Sequence, residues 1–230
     1  MNKNLASLEK DICVKFKDKN ILKQALVHRS YLNEHPDFKL DQNERLEFLG
    51  DAVLELIVTE YLFQKYDNPE GDLTAWRAAL VNGRMLAKIA QKLNLEDYLF
   101  LSRGESKDSG RAREYILANA FEAMLGAIYL DQGYKIAQKF VKKHILSQLK
   151  TVLKTKLYID AKSRFQEMAQ EKDGITPEYR VLNEQGPDHD KDFTIGVFLE
   201  NALVAKGHGH SKQIAEQQAA GKGLEKKGWN

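Results

Sequence analysis

Asn43-Glu44-Arg45-Leu46-Glu47-Phe48-Leu49-Gly50-Asp51 is the stretch from which the rest of this 230-residue sequence can be read. Its carboxylates fall at i, i+3 and i+7, a spacing that places Glu44, Glu47 and Asp51 on one face of a helix. Leu46, Phe48 and Leu49 lie between them, and Ala52-Val53-Leu54 prolongs the apolar run. Like charges at such spacing repel by roughly 0.2–0.5 kcal/mol each when solvated, and by more when partly buried. A divalent cation is the usual compensation. Hard carboxylate oxygens suit Mg²⁺, which binds through one or two carboxylates and keeps its remaining waters. The alternative is a solvated acidic face neutralised locally by Arg45. Two features favour the cation: the acids sit within an apolar run, and Gly50 costs a helix about 1 kcal/mol relative to Ala with no structural gain visible in the sequence.

A second set lies further along, in Ile116-Leu117-Ala118-Asn119-Ala120-Phe121-Glu122-Ala123. Asn119 and Glu122 are i, i+3 on another apolar helix, and an amide oxygen can bind a hard cation without adding charge. Around these two segments the pattern to about residue 155 is helical almost throughout. Leu5, Leu8 and Ile12 recur at helix spacing, as do Ile21, Leu22, Ala25 and Leu26. A long helix fits 44–66 and is halted by Asp67-Asn68-Pro69-Glu70-Gly71. Leu73, Trp76, Leu80 and Val81 start another, which Met85, Leu86, Ile89 and Ala90 continue. Residues 102–110 read as an exposed loop. Helix is expected again over 111–130 and, after a break near Gly133, over 134–149. No strand pattern interrupts this half, so an all-α domain is expected.

Beyond Lys156 the period changes. Residues 163–172 are helical, with Phe165, Met168 and Ala169 on one side. Pro177 opens an alternating run through Tyr179 and Val181, and Phe193, Ile195, Val197 and Leu199 alternate as a strand does. Glu200-Asn201 suits a hairpin turn before Leu203-Val204-Ala205. Ser211 is a good N-cap for a last helix through Ala215, Ala219 and Ala220 to about Lys226. The order α-β-β-β-α makes a second domain, and residues 151–158 read as the linker. Phe165, Tyr179 and Phe193 are expected in its core.

Composition narrows the class. Hydrophobic residues make up 43% and charged residues 30%, a soluble globular balance. The longest nearly uncharged stretch, 123–130, falls far short of the ~20 residues of a membrane span. The N-terminus has no apolar segment of the secretory kind. Cys13 is the single cysteine, which excludes intrachain disulfides and cysteine-rich zinc sites. A cytoplasmic enzyme or binding protein, with no membrane partner, is expected. The net charge of +2 says little about a nucleic-acid partner. Residues 1–156 carry 25 Lys/Arg against 21 Asp/Glu, and residues 157–230 carry 10 against 12.

Together these residues resemble the ribonuclease III family. Asn43 to Ala52, NERLEFLGDA, is similar to the family's signature nonapeptide, and supporting matches are His28-Arg29-Ser30-Tyr31, Glu70-Gly71-Asp72-Leu73, Gly104-Glu105 and Gly110-Arg111. The helix ILANAFEAMLGAIYLD resembles the family's second carboxylate helix. Asp160-Ala161-Lys162-Ser163-Arg164-Phe165-Gln166-Glu167, Gly186-Pro187-Asp188-His189 and Gly207-His208-Gly209-His210-Ser211-Lys212 resemble a double-stranded-RNA-binding domain.

The resemblance implies an all-α RNase III endonuclease domain (5–134), a terminal helix and linker (135–159), and a small α+β (α-β-β-β-α) double-stranded-RNA-binding domain (160–229). It implies Mg²⁺, with Mn²⁺ as a substitute, held by Glu47, Asn119 and Glu122, with Asp51 and Glu122 as the catalytic residues. Glu44 would stand in the outer shell, and Asp72 or Glu70 near a dimer-related site. Where this chain has Asn119, the commonest form of the pattern has Asp. Gln166, Glu167, His189 and Lys212 would meet RNA. The implied activity is hydrolysis of double-stranded RNA by a homodimer to 5′-phosphate and 3′-hydroxyl ends with short 3′ overhangs, serving precursor ribosomal RNA and structured mRNA. A relative that binds RNA without cleaving it is the competing reading, which Asn119 favours and the retention of Glu47, Asp51 and Glu122 opposes. A helical di-metal oxidase is excluded, because no histidine here has Glu three residues before it.

Overall fold

A computed structural model of the chain describes residues 4–107, 109–155, 160–186 and 191–229. It divides into two compact units, Met1–Tyr158 and Ile159–Asn230. Among the described residues, no helix is long and apolar enough to cross a membrane.

The first unit is helical: α1 (Leu5–Ile12), α2 (Lys19–Ala25), α3 (Arg29–Glu34), α4 (Glu44–Lys65), α5 (Glu70–Val81), α6 (Gly83–Lys92), α7 (Arg111–Gln132), α8 (Tyr134–His144) and α9 (Leu149–Thr155). Its only extended pairing among the described residues is an isolated parallel bridge between Val27 and Phe100. α7 is apolar nearly all round, with Ile116, Leu117, Ala120, Phe121, Met124 and Ile128 all buried, as a central helix should be. Its far end is anchored by Asp131, whose carboxylate accepts the backbone N–H groups of Lys17 and Asp18, each at 2.9 Å.

Three segments depart from the sequence pattern. The periodicity running from Leu73 to Ala90 is broken at Asn82, whose backbone is extended (φ −68°, ψ 152°). The Asn82 side chain accepts the Met85 N–H at 3.0 Å and so caps a new helix, a local bond that competes with continuing the old one. The helix expected over 134–149 ends at His144; Ile145 keeps right-handed backbone angles (φ −96°, ψ −58°), and a short 3₁₀ turn, Leu146–Gln148, precedes α9. Residues 151–155, expected in the linker, belong to α9, while 156–159 lie outside the described residues.

The second unit runs α10 (Ala161–Asp173), β1 (Glu178–Gln185), β2 (Asp192–Leu199), β3 (Ala202–Gly209) and α11 (Lys212–Lys227). The strands form one antiparallel sheet in the order β1-β2-β3. Glu200 turns the β2–β3 hairpin with a positive φ of 54°. Phe165, Ala169, Val197, Leu199, Ala219 and Leu224 make the core, where Trp229 lies 5.3 Å from Phe165 between ring centres. Tyr179 and Phe193 are only partly buried. α10 opens on a clasp. Asp160 caps it by accepting from the backbone of Lys162 and Ser163 and also takes a hydrogen bond from Gln217 of α11, and Lys162 Nζ reaches Glu216 of the same helix at 2.7 Å.

Candidate metal and RNA site

Two glycines bring the acidic helices together. A Cβ built on Gly50 of α4 would lie 1.8 Å from the carbonyl oxygen of Glu122 on α7. One built on Gly126 of α7 would lie 2.2 Å from the carbonyl oxygen of Leu46 on α4. No side chain fits at either place, so the two backbones touch. This is the gain that the sequence did not reveal at Gly50: the lost helix propensity is exchanged for close approach. Glu47 and Asp51 flank Gly50, Asn119 and Glu122 precede Gly126, and the crossing sets one pair against the other.

The charges register the meeting. Burial, and then the negative charges of Asp51 and Glu47, push the half-buried Glu122 carboxyl up to about 8. Burial, with Glu44 and Asp51 adding to it, raises Glu47 above the usual carboxylate range, and the Asn119 amide offsets part of the rise by donating toward it. Asp51 is exposed at the rim. Glu44 is exposed too, with Gln42 donating to it at 2.9 Å and Arg29 3.8 Å away. A cleft of about 410 Å³ opens beside this pair, lined by His28, Arg29, Glu44, Glu47, Glu105 and Asn119 among others. Asp51 and Glu122 do not line it. The structure thus brings Glu47, Asn119, Glu122 and Asp51 within one electrostatic neighbourhood, but it opens a cleft onto only two of the four.

Among the described residues, no three of His, Cys, Asp and Glu form a complete cation site by themselves. Here one corner of the set is an amide. What remains, two partly buried carboxylates and an amide oxygen, is a hard-oxygen donor set with unbalanced negative charge, and that fits a hard dication. The cation beside Glu44 is Arg29, at 3.8 Å, rather than the Arg45 of the solvated-face alternative. His28, Arg29 and Glu105 belong to short matches in the sequence, but only the tertiary fold brings them to line one cleft with Tyr115, Ile116 and Asn119 of α7. His28 caps α3, and burial holds its imidazole below the usual value. Asn68 donates to Asp72 at 3.1 Å and Thr74 to Glu70 at 3.4 Å, both acids lying in the first turn of α5.

In the second unit Gln166 and Glu167 are exposed on α10, beside Ser163 and Gln170 in a shallow cleft. Lys212 is the first residue of α11, directly after the Ser211 cap, with its ammonium 5.6 Å from the Phe193 ring centre. Lys212 thus extends from a helix N-terminus, where backbone N–H groups favour an anion. His189 lies outside the described residues.

An all-α unit with acids gathered at a two-helix crossing, followed by an α-β-β-β-α unit, defines a nuclease joined to an RNA-binding module. Residues 18–149 match the family model described as Ribonuclease-III-like, and residues 161–227 match the double-stranded RNA binding motif. The Ribonuclease 3 of Enterococcus faecalis is 43% identical over 97% of both chains, and that of Pelotomaculum thermopropionicum is 44% identical over 96% of this chain and 92% of its own. The solved nuclease domain of ribonuclease III from Campylobacter jejuni superposes with a TM-score of 0.57 at 46% identity, covering 63% of this chain and 97% of that one. The chain belongs to the bacterial ribonuclease III family, and it is a metal-dependent endonuclease of double-stranded RNA with a role in RNA processing.

Proposed function

We propose that Glu47, Asn119 and Glu122 hold Mg²⁺, with Mn²⁺ able to replace it, and that Asp51 acts beside them on the scissile phosphodiester of a duplex RNA. The observation that carries this reading is the glycine crossing of α4 and α7, which gathers Glu47, Asp51 and Glu122 so closely that burial and its neighbours push the Glu122 carboxyl up. When bound, the dication supplies a lowered water pKa and polarisation of the phosphate. Glu47 and Glu122 contribute the charge that retains it, Asn119 contributes a neutral oxygen, and Glu44 steadies the outer shell. Asp51, exposed and one residue past Gly50, orients the attacking water and takes up its proton. Cleavage leaves 5′-phosphate and 3′-hydroxyl ends. Gln166, Glu167, His189 and Lys212 recognise the A-form duplex through 2′-hydroxyls and phosphates rather than base sequence, which suits precursor ribosomal RNA and structured mRNA in the cytoplasm. The functional division is 5–134 for cleavage, 135–159 for the terminal helix and linker, and 160–229 for RNA binding.

One titration tests the chemistry and the unusual ligand together. Long duplex RNA should be cut in Mg²⁺ and merely retained in Ca²⁺. Asn119→Asp should keep or raise activity while lowering the Mg²⁺ needed for half-maximal rate, because it restores a charge to the donor set. A higher Mg²⁺ requirement in that variant would remove Asn119 from the ligand set, and retention without cutting in Mg²⁺ would leave a binding protein.

The working form is a homodimer. Phe48, Leu56 and Phe63 are 82%, 58% and 76% exposed. At roughly 100° per residue they fall within about 80° of one another on α4, a continuous apolar stripe that water covers unfavourably. The nuclease domain of ribonuclease III from Campylobacter jejuni has a structurally flexible region involved in dimer formation, which supports the same mode of assembly here. The segment from Asp67 to Asp72, at the end of α4, extends the same interface. Phe63→Asp should convert the sedimenting species from dimer to monomer and lower the rate of double-strand cleavage. A variant that remains dimeric would place the interface elsewhere.

A further inference from the structure

We propose that His208 and His210 form a two-imidazole site for a transition-metal dication such as Zn²⁺ or Ni²⁺, on the open face of the C-terminal sheet and separate from the acidic site. His208 lies in β3 and His210 directly follows its last residue, two positions on, so both side chains leave the same face of the chain. The neighbouring glycines show which face. A Cβ on Gly207 would lie 2.1 Å from the carbonyl oxygen of Ala215, and one on Gly209 would lie 2.5 Å from Ile214 Cγ2, both on α11. The glycine positions therefore face the helix, and the two exposed histidines face away from it.

β3 is an edge strand, and β2 sets Thr194 directly opposite His208. His208 Nδ1 is 2.9 Å from Thr194 Oγ1, and His210 Nδ1 is 2.7 Å from Asp192 Oδ1. An ionised carboxylate only accepts, so the neutral His210 ring carries its hydrogen on Nδ1 and keeps its lone pair on Nε2. The Thr194 hydroxyl can accept as well, so it suits the same tautomer of His208. Metal-ligating histidines are characteristically held this way, with the distal N–H anchored on a carboxylate or other acceptor and the other nitrogen left for the ion. Imidazole favours Zn²⁺, Ni²⁺ and Cu²⁺ over Mg²⁺, so the two sites do not compete for one ion. With two side-chain ligands the other positions belong to water. Asp192 acts as a positioning residue for His210.

Calorimetric titration of the untagged full-length protein with Zn²⁺, in saturating Mg²⁺ to occupy the acidic site, tests this. One ion per chain is expected to bind saturably. His208→Ala and His210→Ala should each abolish that isotherm, and Asp192→Asn should weaken it roughly tenfold or more, the usual cost of losing an outer partner. Cleavage in Mg²⁺ alone should be unchanged in His208→Ala, which shows that the fold survives. In histidine-detected NMR, the Nε2 resonances of both rings should shift with Zn²⁺ while Nδ1 stays protonated. An isotherm unaffected by both histidine variants, or no saturable Zn²⁺ binding by the native chain, would overturn the proposal.

Discussion

Glu122→Gln is expected to stop duplex cleavage while leaving duplex binding intact. The substitution preserves shape and removes one of the charges that would hold the cation, in a half-buried place where no neighbouring acid can substitute. A fall in rate on the order of 10²-fold or more is expected, the scale on which preorganised electrostatic groups act. The same variant has a second consequence that separates site geometry from activity. In the folded, metal-free chain Glu122 titrates near 8 rather than at the ordinary 4.5. Between those values the folded state keeps a proton that the unfolded state has released. Stability is therefore fully present below about pH 4.5 and is lost as the pH rises through 8. With a chelator present, native protein should melt at progressively lower temperature across that window, and Glu122→Gln should fall less, since only the raised Glu47 carboxyl remains. Near pH 8.5 the variant should melt higher by a few degrees, since about 1 kcal/mol moves Tm by roughly 2–4 °C for a chain of this size. Equal melting temperatures at high pH would mean that Glu122 does not face Asp51 and Glu47. Cleavage persisting in the variant would remove Glu122 from the ion's ligands.

Gly50→Ala is expected to damage both stability and catalysis, against the direction that helix propensity alone gives. In an unobstructed helix the change would stabilise by about 1 kcal/mol. Here the new methyl would fall 1.8 Å from a main-chain carbonyl oxygen, which no rotamer change relieves. Overpacking typically costs about 1–3 kcal/mol, and contact with backbone lies at the upper end because the helices themselves must part. Parting moves Glu47 and Asp51 away from Asn119 and Glu122, so the rate in saturating Mg²⁺ should fall more than the folded fraction does. Gly126→Ala, on the other side of the crossing, should behave alike. A melting temperature equal to or above that of the native chain in Gly50→Ala would show that the helices do not approach as described.

The helical half, the α-β-β-β-α succession and the two acidic helices were legible in the sequence because each has a strong local period. Glu44, Glu47 and Asp51 share a face by spacing alone, and Phe193, Ile195, Val197 and Leu199 alternate without interruption. Asn82 was not legible as a break, because apolar spacing continues across it while its side chain closes α5 by donating to the Ala79 carbonyl and opens α6 by accepting from Met85. Gly50 showed its cost but not its use, since the use is contact with Glu122, far along the chain on another helix. The approach of His28 and Glu105 to the cleft likewise depends on the tertiary fold, which no local period encodes. The exposure of Phe48 and Phe63, apolar residues within the long helix, was equally out of reach of spacing arguments.

The clasp at Asp160 bears on how the RNA-binding surface is set. Because the opening turn of the RNA-binding unit is fastened by Gln217 and Glu216 of its own closing helix, its first and last helices secure each other. A fold fastened at its threshold in this way holds its entry and its exit helix in one register, so the surface that meets RNA is set from inside the unit.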